Sequence, residues 1–310
     1  MKAVLDDVNG TVCLLLAFGT FIVDVPLMIF LVSNSKQDGD VVTTVMISLT
    51  VSDLVASTSV NSLTAVSAWI KPVEIPYPLL LLQGSLWHVC TYVSIWNLAI
   101  MSTLKCYIIV RPLTYSTVLT SRRRDILIAA VWIVVLITIV GANISGVGWV
   151  SDPTMSVSVV RGQDGRRLRY FELVAMVIVP GCTALACYTK ILFIVRQQHI
   201  GILNSITNQA PAGNSGSIQS LMTSVRSARS LFVICFAYYI CYIPAQFNGI
   251  GIALPIWYVV GSRWLLFSSS FVNGLLYILL YRSTRRKFLR QFCPFVDIGD
   301  GNATSVINSE

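Results

Sequence analysis

Charged positions along the chain are bunched, and long apolar stretches lie between them. Residues 11–34 contain one charge, Asp24, and residues 41–70 contain one, Asp53. Residues 75–104 and 126–151 contain none, and 173–189 are uncharged and continue past Lys190 to Val195. From Ser230 to Tyr281 the only charge is Arg263. A bilayer core of roughly 30 Å is crossed by about 20 helical residues. Each of the first five stretches therefore predicts one spanning helix. The last holds 52 residues, about 78 Å as a single helix at roughly 1.5 Å per residue, so it predicts two. Gly249, Gly251 and Pro255 supply the break between them. The pattern predicts an all-α membrane protein, a bundle of seven transmembrane helices.

Composition agrees with this pattern. Hydrophobic residues make up 55% of the chain, charged ones 12%, and the mean hydropathy is +0.73. A soluble globule cannot cover that much apolar surface. The net charge of +8 does not point to nucleic acid, because the basic residues sit in short loops between the apolar runs. Fifteen of the 22 lysines and arginines fall on one side, which the positive-inside rule makes cytoplasmic, with the N-terminus outside. Residues 1–10 are then expected as an extracellular tail, 11–293 as the membrane domain and 294–310 as a cytoplasmic tail. The first run has no A-x-A cleavage site and is long enough to span, so it is expected as a signal anchor. Asn9-Gly-Thr11 is a glycosylation sequon on the outer side.

The eight cysteines form no C-x-x-C or C-x-x-H pair, which leaves a metal site without support. Most fall inside spans, as small apolar packing residues do. Cys293 differs. It follows "RSTRRKFLRQF", where Phe288 and Phe292 are spaced i, i+4 among basic residues. That spacing predicts a short amphipathic eighth helix on the inner leaflet, in contact with membrane lipid, with Cys293 as a palmitoylation candidate. No internal repeat of the transporter kind is visible.

Six motifs lie in order along the spans. Span 2 has "SLTVSDLVAS" and span 3 has "SIWNLAIMSTLKCYIIVRPLTY". Span 4 has Trp132, and span 5 has Pro180 and Tyr188. Span 6 has "CYIP" with Pro244, and span 7 has "NGLLY" with Asn273 and Tyr277. Together these resemble the rhodopsin-like G-protein-coupled receptors over residues 11 to 293, with a span 3 most similar to that of amine receptors. The resemblance implies a plasma-membrane receptor that passes an extracellular small-ligand signal to a heterotrimeric G protein, with no enzyme activity and no cofactor. The alternative is a signalling-deficient seven-helix protein acting as a decoy or heteromer partner.

The resemblance also implies roles for particular residues, and this chain departs from several of them. Asp53 holds the place of the family's sodium-binding acid, with Ser94, Ser270 and Asn273 beside it. Asp24 stands where the family has a span-1 asparagine. If Asp24 and Asp53 face each other in low dielectric, they share one proton; otherwise Asp24 faces elsewhere, neutral. At the inner end of span 3, Leu104 replaces an acid, Lys105 an arginine and Cys106 a tyrosine. Ser224 stands at the place of a span-6 acid. Lysine is a compact charge with three donors and lacks the planar five-donor fork of arginine. Lys105 is either the G-protein contact or a side chain snorkelling to the headgroups. Tyr242 replaces a tryptophan and Gly274 a proline; with Tyr188, Pro244 and Tyr277 these complete the expected activation set. Leu80 replaces one cysteine of the family's outer disulfide, and residues 150–172 contain no partner for it. The implied ligand pocket comprises Trp87, His88, Glu172, Gln246, Arg263 and Phe267. Trp87 replaces the amine-binding aspartate, and Phe267 replaces the retinal-binding lysine. The same residues also suit an interfacial belt, an interhelical histidine and a water boundary.

Overall fold

The computed structural model describes residues 2–38, 41–70, 76–146, 148–151, 158–161, 169–207, 215–249 and 254–292. Seven helices in it are long and apolar enough to cross a membrane: Val4–Ser35, Val42–Trp69, Tyr77–Val110, Ser121–Ile144, Arg169–Gln197, Ala228–Gln246 and Ile256–Leu280. They are spans 1 to 7. The break between spans 6 and 7 comes where the composition puts it. A 3-10 turn, Phe247–Gly249, follows span 6, and Pro255 is the N-cap residue of span 7. An eighth helix, Arg282–Phe292, is tied back to span 1 by Phe288, whose ring meets Phe30 edge-on at 5.8 Å.

Span 3 is the axis of the bundle. In its most apolar stretch 61% of the residues are buried, against 17% for span 4, which turns most of its surface outward. Val93, Leu98 and Met101 on span 3 lie in one core with Leu31, Leu49, Leu231 and Ile234. Large apolar side chains such as Phe18, Ile137 and Leu185 point away from that core. Lipid is the solvent that such a surface requires, and helices suit it because their backbone groups bond within the segment.

The chain start departs from the expected tail. Residues 2–10 are helical and continue into span 1. Asn9 is 1% exposed, and its Oδ1 accepts a hydrogen bond from Trp264 Nε1 at 3.1 Å. A Cβ on Gly10 would lie 2.6 Å from Trp69 Nε1, so only glycine lets the helix approach span 2 this closely. Docking against spans 2 and 7 explains why a polar opening folds as helix. It also packs the side chain of Asn9, the sequon residue, inside the protein.

Two π turns interrupt the spans, at Ala56–Asn61 in span 2 and at Glu172–Ile178 in span 5. Outside the bundle, the chain between spans 4 and 5 forms a two-stranded antiparallel hairpin. β1 (Gly148–Ser151) pairs with β2 (Ser158–Arg161), Trp149 opposite Val160. Span 4 stops at Ile144 rather than running to 151, and Gly146 takes φ +83, the left-handed conformation that ends many helices. Trp149 is buried against span 3 at Gly84, where any Cβ would run into its ring. Its Nε1 donates to Asn143 Oδ1 at 2.8 Å, and Asn143 Nδ2 donates to Ser85 at 2.9 Å.

Candidate functional site

Span 3 carries polar side chains at three levels. At the level nearest the N-terminal face, His88 Nδ1 lies 2.7 Å from the Gly84 carbonyl, so this nitrogen carries the proton. The ring therefore turns Nε2 toward Glu172 on span 5, 3.9 Å from Oε1. Glu172 is 5% exposed, and its Oε1 has no hydrogen-bond partner. The Tyr92 hydroxyl, one turn below His88, bonds the same carboxylate, and Arg169 acts on it from the start of span 5. Tyr92 also bonds Tyr242 on span 6, and Tyr238 donates to the Thr91 carbonyl at 3.2 Å. Trp149 closes this centre from the hairpin, its ring 5.1 Å from that of His88.

Trp87 faces another way. Adjacent helical residues point about 100° apart, and Trp87 meets Phe267 on span 7 edge-on at 4.9 Å. The six expected pocket residues thus divide. His88 and Glu172 meet on one side of span 3, and Trp87 and Phe267 on the other. Gln246 and Arg263 are half-buried, near the ends of spans 6 and 7.

At the middle level, Asp53 is 3% exposed. It accepts from Ser94 at 3.4 Å and from Asn273 at 3.2 Å, with Ser270 also in hydrogen-bonding range. Asp24 is 1% exposed and acts electrostatically on the same centre. Neither of its carboxyl oxygens has a hydrogen-bond partner, nor does Asn273 Oδ1. Asp24 occupies the space beside Gly274 that a Cβ there would take. Asn97, Trp132 and Ser48 form a separate joint between spans 2, 3 and 4, with both nitrogens 3.0 Å from the serine hydroxyl.

At the level nearest the opposite face, Ser102 donates to the Tyr188 hydroxyl at 3.2 Å, and Cys235 lies 3.6 Å from Ser102 and 3.8 Å from Tyr188. Spans 3, 5 and 6 meet there. Leu104 and Cys106 are buried, and Lys105 between them is half-buried. Tyr277 packs on Tyr281 at 4.6 Å.

The sequence profile described as "7 transmembrane receptor (rhodopsin family)" matches residues 26–277. The chain belongs to this family. It is similar to melatonin receptor type 1A-A of Danio rerio, at 22% identity over 284 residues, which are 87% of this chain and 78% of that one. Its fold is that of squid rhodopsin, whose crystal structure superposes with a TM-score of 0.84 at 16% identity, covering 96% of this chain and 87% of the other. The protein is thus a rhodopsin-like receptor, a multi-pass protein of the plasma membrane that transduces signals.

Leu104 is inward-facing, so an acid there would be buried; leucine instead fills core volume. The receptor's Tyr92, Trp149 and Ser48 were not singled out from the sequence. Tyr92 carried a signal, since it sits four residues after His88 and so on the same helical face. Trp149 carried none, because it lay in a run that reads as span 4. Cys293 and the side chain of Ser224 lie outside the described residues.

Proposed function

We propose that this receptor takes a small polar or zwitterionic ligand from outside the cell, near His88 and Glu172, and couples to a heterotrimeric G protein through Lys105 at the opposite end of span 3. The N-terminal face is then extracellular, and residues 294–310 form a cytoplasmic tail with Cys293 as its lipid attachment point. Binding, not catalysis, is the chemistry that these residues offer. The observation that carries the reading is Glu172: a buried carboxylate between spans 3 and 5 with one oxygen lacking a hydrogen-bond partner. A buried acceptor in that condition destabilises the empty state by roughly 1–3 kcal/mol, and a ligand donor relieves it.

From there the signal has a short route. A ligand that favours one packing of spans 5 and 6 around span 3 shifts the population of that packing. Tyr92 and Tyr242 link the ligand level to span 6, and Ser102, Tyr188 and Cys235 link spans 3, 5 and 6 at the other end. Lys105 lies one turn beyond Ser102 and supplies the cation. The test is basal second-messenger output in cells expressing the full chain, beside Lys105→Ala and Lys105→Arg. Output above untransfected cells that falls with alanine and rises with arginine is expected. Output that is absent, or indifferent to both substitutions, overturns the reading.

A further inference from the structure

Seven cysteines are described, all as free thiols, and two of them face each other across a helix boundary. Cys106 is on span 3 and Cys187 on span 5, and the two thiols act on each other electrostatically. Cys187 Sγ also lies 3.8 Å from Thr103 Oγ1. Thr103 and Cys106 are three residues apart on span 3 and so neighbours on one face, and Cys187 faces that patch. Cys106 is 8% exposed and Cys187 is half-buried, so the pair lies at the edge of the core, where a small neutral oxidant reaches it. The other thiols are placed differently. Cys235 is held by Ser102 and Tyr188 in the interior, and Cys13 and Cys90 are buried elsewhere.

We infer that Cys106 and Cys187 form an oxidisable pair, a site at which hydrogen peroxide joins spans 3 and 5 by a disulfide. The Cys187 sulfur attacks one peroxide oxygen and the O–O bond breaks. The sulfur becomes a sulfenic acid, and the departing hydroxide takes the thiol proton and leaves as water. The Cys106 sulfur then attacks the sulfenic sulfur, forming the S–S bond, and the displaced hydroxide leaves with the Cys106 proton as a second water. Two thiols lose two electrons in all, and one peroxide becomes two waters. Glutathione or thioredoxin, which keep cytosolic thiols reduced, would reverse the step. The bond would lie one residue from Lys105 and one from Tyr188, and would link spans 3 and 5 covalently. Neither a ligand nor a G protein is needed for it to form.

The experiment uses membranes from cells expressing the full chain. They are exposed to hydrogen peroxide, blocked with N-ethylmaleimide, digested without reductant and analysed by mass spectrometry. The expected product is a linked peptide pair containing Cys106 and Cys187, two hydrogens lighter than the separate peptides and lost on adding dithiothreitol. Cys235 should stay unlinked. Cys106→Ser and Cys187→Ser should each abolish the product, but the unaltered receptor alone decides the question. Separate alkylated peptides for the two cysteines, a link from either to another cysteine, or sulfinic acid without a link would overturn the inference.

Discussion

Gly274 and Asp24 show how one atom governs a neighbourhood. A methyl group on Gly274 would collide with the Asp24 carboxylate, so Gly274→Ala is expected to lower the melting temperature of the purified receptor. Overpacking of this kind typically costs about 1–3 kcal/mol. Adding Asp24→Ala should recover most of the loss, because it removes the colliding group together with a buried acid that has no hydrogen-bond partner. The coupling, read from a double-mutant cycle, should exceed about 0.5 kcal/mol. Additive losses would mean that the two residues do not meet. Lys105 makes a second residue-scale prediction: Leu104→Asp should lower basal output, because it places an acid beside the cation. Asp24 and Asp53 stood out in the sequence as charges inside apolar runs. That Gly274 makes room for one of them could not be read there, because glycine leaves no chemical trace of what fills its space.

The hairpin between spans 4 and 5 takes over at element scale. Family resemblance implies a disulfide from span 3 to this loop, yet Leu80 stands at one end and no cysteine occurs among residues 150–172. Trp149 in the Gly84 notch joins the same two elements by packing. Trp149→Ala should therefore destabilise the receptor by about 3–5 kcal/mol, the usual range for a buried aromatic, and Gly84→Ala should act in the same direction. Mild reductant should leave the melting temperature nearly unchanged, whereas loss of a typical bridge costs about 2–4 kcal/mol. A large drop under reductant would show that some disulfide does hold the fold. The hairpin was illegible in the sequence for a physical reason. Its first strand is the last stretch of an uncharged run, and hydropathy alone cannot separate a helix end from a short strand. What ends the helix is the backbone turn at Gly146.

At the scale of the whole molecule, all seven spans were legible, because a bilayer imposes one length and one polarity on every crossing segment. The path of the chain start was not, since residues 2–10 dock through Asn9, Gly10 and their contacts with Trp264 and Trp69, which only the assembled bundle provides. The proposed orientation, N-terminus outside, rests on the lysine and arginine asymmetry. A tag ahead of Met1 should be reached by antibody on intact cells, and a tag after Glu310 only after permeabilisation. The reverse pattern would invert every assignment of outer and inner centre.

The Trp149 anchor bears finally on how the receptor is made. A loop held by packing needs no oxidising enzyme during synthesis, and no waiting for the right thiols to pair. The outer half of this receptor should mature at its normal rate in cells whose secretory compartment is made reducing. The same treatment should stall relatives that depend on a covalent staple there. Pulse labelling with dithiothreitol in the medium, followed through arrival at the cell surface, would display the difference.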